Sequence, residues 1–438
     1  KLSGPLGASA SSRGKELLGL QKHISSSSRT LAHTVERLTS VFPSLLDNAG
    51  SYGCRRTLDQ SFSNTRAWLE DIEPTLDCLK MDLKRLTTAL SFFLEEQSFV
   101  FDEDDYKDES LLQALSDLSR ARNKGLQAMG FLESFKNLDD LLHCRWFSSM
   151  PSRASLGRDR IALHIRPFDV SRELNEHLFG PLEGTVLTSA TLSVAGNFDY
   201  TRRALGLLDD RVQTLCLRSP FDYEEQGFFG IPVDLPEPSS PSFVSKIARV
   251  IFEAISATEG RSFVLFTSYK MMNQVYAQIC DDLWDLDCTP LLQGEMSREH
   301  LLESFVSEEG AVLFGTNSFW EGVDVKGRDL VSVIIVKLPF QVPSDPLVRA
   351  RGEWLKQRGL DPFRDEALPK AILSLKQGVG RLIRSKHDCG LILVLDKRIV
   401  TKRYGKAFLA SMPPMPMTKA PWTRLYEGIK TFVSDRAL

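Results

Sequence analysis

No Cys-x-x-Cys pair occurs in the 438 residues; the seven cysteines, at 54, 78, 144, 216, 280, 288 and 389, are scattered. That spacing argues against a zinc ribbon or a disulfide framework and fits a reducing cytoplasm. Long apolar runs are missing too: none reaches membrane-spanning length, and no secretory apolar core is present. Charge of one sign is not in excess. The formal net charge is −3, so any surface for a polyanion has to be local. The chain also has no G-x-x-x-x-G-K-[ST] loop and no Asp-Glu-Ala-His-type acidic box, the elements that cradle nucleotide phosphates and hold Mg²⁺.

What is present is ordinary globular material, 42% hydrophobic and 25% charged, long enough for two or three domains. Residues 1–30 are rich in Gly and Ser and predict a loop or frayed start. From Leu31 to Phe147 the apolar spacing is helical, as in Leu38, Val41, Leu45 and in Trp68, Ile72, Leu76. Phe101–Glu109 is an acidic break. His143 and Cys144 lack partners for metal ligation and read as packing residues. The expectation for 1–160 is an all-helical, arch-like region.

Near Ile161 the texture changes. Strands are predicted at 161–170, 184–192, 212–217, 262–267, 290–293, 311–314, 330–336 and 391–395, with helices between them, including 345–358 and 366–385. Such alternation predicts a parallel sheet covered by helices on both faces. Functional residues then belong at the carboxyl ends of the strands. The polar clusters fall there: Thr188–Thr191, Thr267-Ser268, Gln293-Gly294, Gly315–Ser318 and, just beyond, Glu321–Asp324. Singly, each is an ordinary loop or helix cap. Together they can hold a phosphodiester backbone without reading sequence.

The stretch Gln377–Ser385, QGVGRLIRS, closes this series. Wound as a helix over 372–384, it places Ile372, Leu375, Val379, Leu382 and Ile383 on one side. Gln377, Gly380, Arg381 and Arg384 fall on the other. Guanidinium forks match phosphate oxygens in pairs, so two of them on one platform suit a polyphosphate, and Gly380 would let it approach closely. Phe319 reads as core, whereas Trp320 is balanced between core and base stacking. Asp396 with Arg398 is balanced between a structural ion pair and a DNA contact.

These residues resemble a family. TSATL (188–192), VLFTSY (264–269), QGE (293–295), GTNSFWEGVDVKG (315–327) and QGVGRLIRS (377–385) are similar, in this order, to motifs III to VI of superfamily 2 helicases. More narrowly they resemble the XPD/DinG branch, and DinG-type proteins above all, with LPF (338–340), GEWLKQRGLDPF (352–363) and DKRIVTKRYGK (396–406) adding to the likeness. The resemblance implies a RecA-like α/β motor fold preceded by the helical arch. Residues 1–160 would form the arch, 161–198 the last strands of a first motor domain, and 199–438 a second motor domain.

The same resemblance implies ATP with Mg²⁺ as cofactor. Arg384 and Arg381 would act as arginine fingers, Gln377 would position the γ-phosphate or attacking water, and Gly380 would border the nucleotide. Glu321, Gly322 and Asp324 would couple nucleotide to DNA. Ser189, Thr191, Thr267, Ser268, Thr316 and Ser318 would contact DNA. The implied activity is ATP-driven, 5′→3′ movement on single-stranded DNA with unwinding of forked or hybrid duplexes by a monomer, in repair or replication. The family's phosphate loop, acidic box and iron–sulfur cysteines precede its arch. The expectation is therefore a chain that begins after them, inactive by itself, with any cluster left to the parent protein. The alternatives are the DNA-dependent ATPase part of an exonuclease-fused relative and a nucleic-acid-binding module without a motor.

Overall fold

A computed structural model describes residues 12–41, 54–96, 109–150, 160–316, 319–320, 329–343 and 345–436. The chain divides into two compact units: residues 1–168 with 344–351, and residues 169–343 with 352–438. Among the described residues, no helix is long and apolar enough to cross a membrane.

The first unit carries three long helices, Ser12–Val41, Glu73–Glu96 and Glu109–Lys136. The first of them overturns the expectation of a loop over 1–30, at least from Ser12 onward. Its hydroxyls bond back to the helix, Thr30 Oγ1 donating to the Ser26 carbonyl at 3.1 Å, and Thr34 Oγ1 donates to Asp82 Oδ2 of the second helix at 2.8 Å. Tertiary bonding of this kind overrides weak local propensity. The unit is also not all helical. Strands β1 (Cys54–Leu58), β2 (His143–Met150) and β3 (Arg160–Pro167) form an antiparallel sheet. Trp68, Ile72, Leu76, Phe135 and Phe147 fill the core beside it. The strand expected at 161–170, among the last strands of a first motor domain, is β3, paired with β2 of this antiparallel sheet.

The second unit is built on a seven-stranded sheet in the order β10-β4-β9-β8-β5-β7-β6. Its members are β4 (Gly227–Pro232), β5 (Ser262–Leu265), β6 (Thr289–Leu292), β7 (Ala311–Gly315), β8 (Ser332–Ile335), β9 (Gly390–Val394) and β10 (Met417–Ala420). Every pairing is parallel. Side chains alternate between two cores, as a period of two requires. Phe263, Leu265, Val333 and Ile335 face helices Arg298–Ser307 and Leu368–Val379. Val264, Phe266, Ile334 and Val336 face helices Phe243–Ala257, Tyr269–Trp284 and Trp422–Arg436. This is the RecA-like parallel sheet the motifs implied.

Two expected strands do not form, one at 184–192 assigned to a first motor domain and one at 212–217 assigned to the second. Residues 184–192 and 212–217 carry no strand; Val186 is 89% exposed and Leu217 78% exposed. Both have the composition of buried strands, but no described strand offers them an edge. Sequence reading in turn missed β4 and β10.

Candidate nucleotide and nucleic-acid interface

Because the strands are parallel, their carboxyl ends share one edge, and the motif segments at 267–269, 293 and 316 gather along it, whereas the Arg motif lies just before β9. Gln293, just past β6, organises one end. Its side-chain carbonyl accepts from the Thr316 backbone N–H at 2.6 Å and from Thr316 Oγ1 at 2.9 Å. Its amide donates to the Tyr269 hydroxyl at 2.6 Å. One amide therefore ties together the ends of β5, β6 and β7. Tyr269 carried no expected role, and Gln293, expected among the strand-end groups that could hold a phosphodiester backbone, instead bonds Thr316 and Tyr269.

The same network bears on the expected phosphate contacts. Thr316 is only 6% exposed, and both of its donors are engaged by Gln293. Thr267 is half-buried and Ser268 exposed. Ser268 caps the following helix by accepting from Met271 N–H at 3.4 Å. Ser189 is exposed and Thr191 half-buried; their hydroxyls lie 3.2 Å apart, and Ser189 Oγ accepts from Thr191 N–H. Ser318, Glu321, Gly322 and Asp324 lie outside the described residues.

The helix of the Arg motif is shorter than expected. It ends at Val379, with Gly380 as its cap; two glycines in three residues weaken a helix end, each costing about 1 kcal/mol relative to Ala. Gln377 is on the helix, half-buried, whereas Arg381 and Arg384 leave from the turn and loop beyond it. The apolar set nevertheless stays inside: Ile372, Leu375, Val379, Leu382 and Ile383 are all 4% exposed or less. Gly380 is exposed and has an ordinary negative φ. The close approach belongs instead to Gly378, where a Cβ would stand 2.9 Å from the Trp320 ring. Phe319 and Trp320 are 1% and 2% exposed, so both serve the core and neither is presented for base stacking.

The loop is held by Asp388, which sequence reading did not single out. Its carboxylate accepts from the backbone N–H groups of Arg384 and Ser385, each at 2.8 Å, and from Ser385 Oγ at 2.7 Å. The Gln226 amide donates to the Ser385 and Asp388 carbonyls at 2.8 and 2.7 Å. Arg381 Nη2 donates to the Trp320 carbonyl at 3.2 Å, bracing one motif on another. Lys376 donates to the Ser193 carbonyl at 2.9 Å, tying the segment after TSATL to the same helix. Burial lowers the pKa of Arg384, partly offset by the Asp388 charge, so its charge is held in a site that solvates it poorly.

Burial alone would raise the Asp388 carboxyl, but the Ser385 hydroxyl, the two backbone N–H groups and Arg384 outweigh it and leave it below the usual carboxylate range. A carboxylate depressed in the folded state contributes stability above its unfolded value, about 3.9, and loses it as pH falls through the folded value. Asp388→Asn is accordingly expected to cost about 2 kcal/mol at neutral pH, with the difference from wild type closing in acid. Urea denaturation across pH measures this; a gap that does not change with pH contradicts it.

Residues 251–415 match the helicase C-terminal domain family. The resemblance to DinG-type helicases holds as well. The chain is 40% identical over 277 residues to "ATP-dependent DNA helicase YoaA" of Haemophilus influenzae, covering 63% of this chain and 41% of that protein. It is 37% identical over 279 residues to "ATP-dependent DNA helicase DinG" of Photobacterium profundum, covering 62% and 39%. It is 36% identical over 261 residues to "3'-5' exonuclease DinG" of Bacillus subtilis, covering 58% and 28%. The chain thus spans about two fifths or less of these relatives. The solved structure XPD_APO matches 92% of this chain and 72% of its own with a TM-score of 0.53 and 18% identity, a likeness of fold.

Proposed function

We propose that this chain is the C-terminal part of an ATP-dependent DNA helicase, supplying one wall of the nucleotide cleft and part of the DNA track. The observation that carries the reading is the carboxyl edge of the sheet, where the Gln293–Thr316 network and the Thr267-Ser268 hydroxyls lie together, with the Arg384 loop held by Asp388 just before β9 of the same sheet. ATP with Mg²⁺ would supply the phosphoanhydride whose cleavage drives movement. The residues of this chain fit its phosphates by charge and geometry, since Arg384 is a poorly solvated guanidinium on a loop fixed by Asp388. Its role is to neutralise charge on the transferred phosphoryl group. Gln377 would orient the attacking water, and Gly380 with Glu321, Gly322 and Asp324 would border the nucleotide. Arg381 would brace the cleft through Trp320 rather than reach the phosphates.

The exposed apolar segment 184–192 fits a strand that completes the sheet of another motor domain, which supports the reading that 161–198 belongs to it and 199–438 to the second. Without a phosphate loop of its own the chain is inactive toward ATP. Movement on single-stranded DNA in the 5′→3′ sense, action on forked or hybrid duplexes, a monomeric state, a cytoplasmic setting in repair or replication, and any iron–sulfur cluster in the parent protein follow from the resemblance. The match to a relative named as an exonuclease keeps a second reading open, in which the same motor part serves a nuclease-fused protein.

Contacts to phosphates carry no sequence information. Thr267→Val combined with Ser268→Ala is expected to weaken single-stranded DNA binding about tenfold, equally for homopolymeric and mixed sequences, the loss of a pair of such contacts. Fluorescence anisotropy with oligonucleotides reads this out, with thermal melting to account for the lost helix cap. Unchanged binding by a folded variant removes these hydroxyls from the track.

A further inference from the structure

β9 ends in a segment, Asp396–Lys406, that concentrates positive charge on the same edge. Asp396 is fully buried. It accepts from the Leu338 backbone N–H at 3.0 Å and forks with Arg398, whose Nε and Nη2 donate at 2.9 and 2.5 Å. The segment is thereby fastened to the ends of β8 and β9. Gly405 turns it back so tightly that a Cβ there would collide with the Ile399 carbonyl. Tyr404 packs edge-on against Phe340 and Phe408, which makes it an anchor for the turn.

Beyond this anchor stand Lys397, Lys402, Arg403 and Lys406, the last three exposed. None of the four forms an ion pair with a described residue, and Asp396 is the only acid in the segment. Glu237 acts on Arg398, which leaves Arg398 to the structural pair. A rigid, unneutralised basic turn is unexpected on a chain of net charge −3, because like charges so close together repel unless a polyanion joins them.

We propose that the turn 397–406 is a phosphate-binding surface for single-stranded DNA that continues the strand-end track past β9. The inference rests on the nucleic-acid reading above. The contacts are sequence-independent, because the one aromatic of the turn is packed inward and the remaining groups are cations. The test is a Lys402→Gln, Arg403→Gln, Lys406→Gln variant, titrated with a fluorescent single-stranded oligonucleotide over a salt series. A Lys246→Gln, Lys356→Gln, Arg424→Gln variant removes the same charge elsewhere on the second unit. Each phosphate contact adds about 0.7 to the log–log salt slope for single strands, so the turn variant should lose about 2 from that slope and about tenfold or more in low-salt affinity. The control should lose little of either, and both should melt as wild type does. If wild type binds and the two variants behave alike, this inference is overturned and the helicase reading stands. If wild type does not bind at any salt, the nucleic-acid reading is overturned along with it.

Discussion

Arg384→Ala is expected to lower DNA-stimulated ATP turnover by about 10³-fold or more, measured in a protein that carries this chain together with a phosphate-binding loop. That is the low end of what an arginine finger contributes by neutralising charge in the transition state. The fold should not suffer. The hydrogen bonds that fix the loop use the Arg384 backbone N–H, which alanine keeps. Burial disfavours the Arg384 charge and Asp388 partly offsets this, so the net change in stability should be small. Arg384→Lys should fail as well, because an ammonium cannot reproduce a planar fork. Arg381→Ala should behave differently, losing stability along with turnover through its bond to the Trp320 carbonyl. Turnover within a few-fold of wild type in Arg384→Ala would remove this residue from the chemistry.

The largest expected effect on stability comes from Arg398→Met. Asp396 has no exposed surface, and Arg398 is the cation that balances it. Taking one partner from a buried pair leaves a charge with nothing to offset its desolvation, typically at a cost of about 3–5 kcal/mol. The backbone N–H groups of Leu338 and Arg398 still donate to the carboxylate, which points to the lower half of that range. Arg398→Met combined with Asp396→Asn should recover part of the loss, since the pair is coupled and the two effects are not additive. Denaturant unfolding of the single and double variants checks this. A double variant as unstable as the sum of the two singles contradicts it.

Much of the second unit was legible because its strands are buried on both faces and read as short apolar runs. β5, β6, β7, β8 and β9 fall within a residue or two of their expected positions. β4 was missed for a physical reason. Its glycines dilute the apolar run, and they are required because a Cβ at Gly230 would stand 2.7 Å from Leu393 and one at Gly227 2.7 Å from Met415. Residues 184–192 failed in the opposite direction: they have the right composition for a strand, but a strand also needs a neighbour, and composition does not supply one. The helices of the first unit after Leu31 were visible in their periodicity, whereas the Ser-rich stretch from Ser12 to Thr30 was not. The sheet of that unit was not either, because β2 buries polar residues, Arg145 and Ser148, with Arg145 satisfied by Asp140 and the Ser134 carbonyl.

At the candidate site the residue types were readable and their supports were not. The apolar side of QGVGRLIRS was placed correctly, although the helix supposed to present it stops at Val379. Val379, Leu382 and Ile383 reach the core from a turn as readily as from a helix. The glycine that matters proved to be Gly378, because its neighbour Trp320 arrives from a different strand end and no local pattern reveals that. Asp388, Gln226 and Gln293 act through bonds to backbone and side chains that are distant in sequence or hidden in loops. No periodicity marks them.

The most direct test of the account is single-stranded DNA binding by this chain, followed across a salt series with ATP turnover measured in the same samples. The account predicts binding that weakens steeply with salt, because it rests on phosphate contacts, and no turnover, because Arg384 would act on a nucleotide held by other residues. DNA-stimulated hydrolysis by this chain alone, or no binding at any salt, would contradict it.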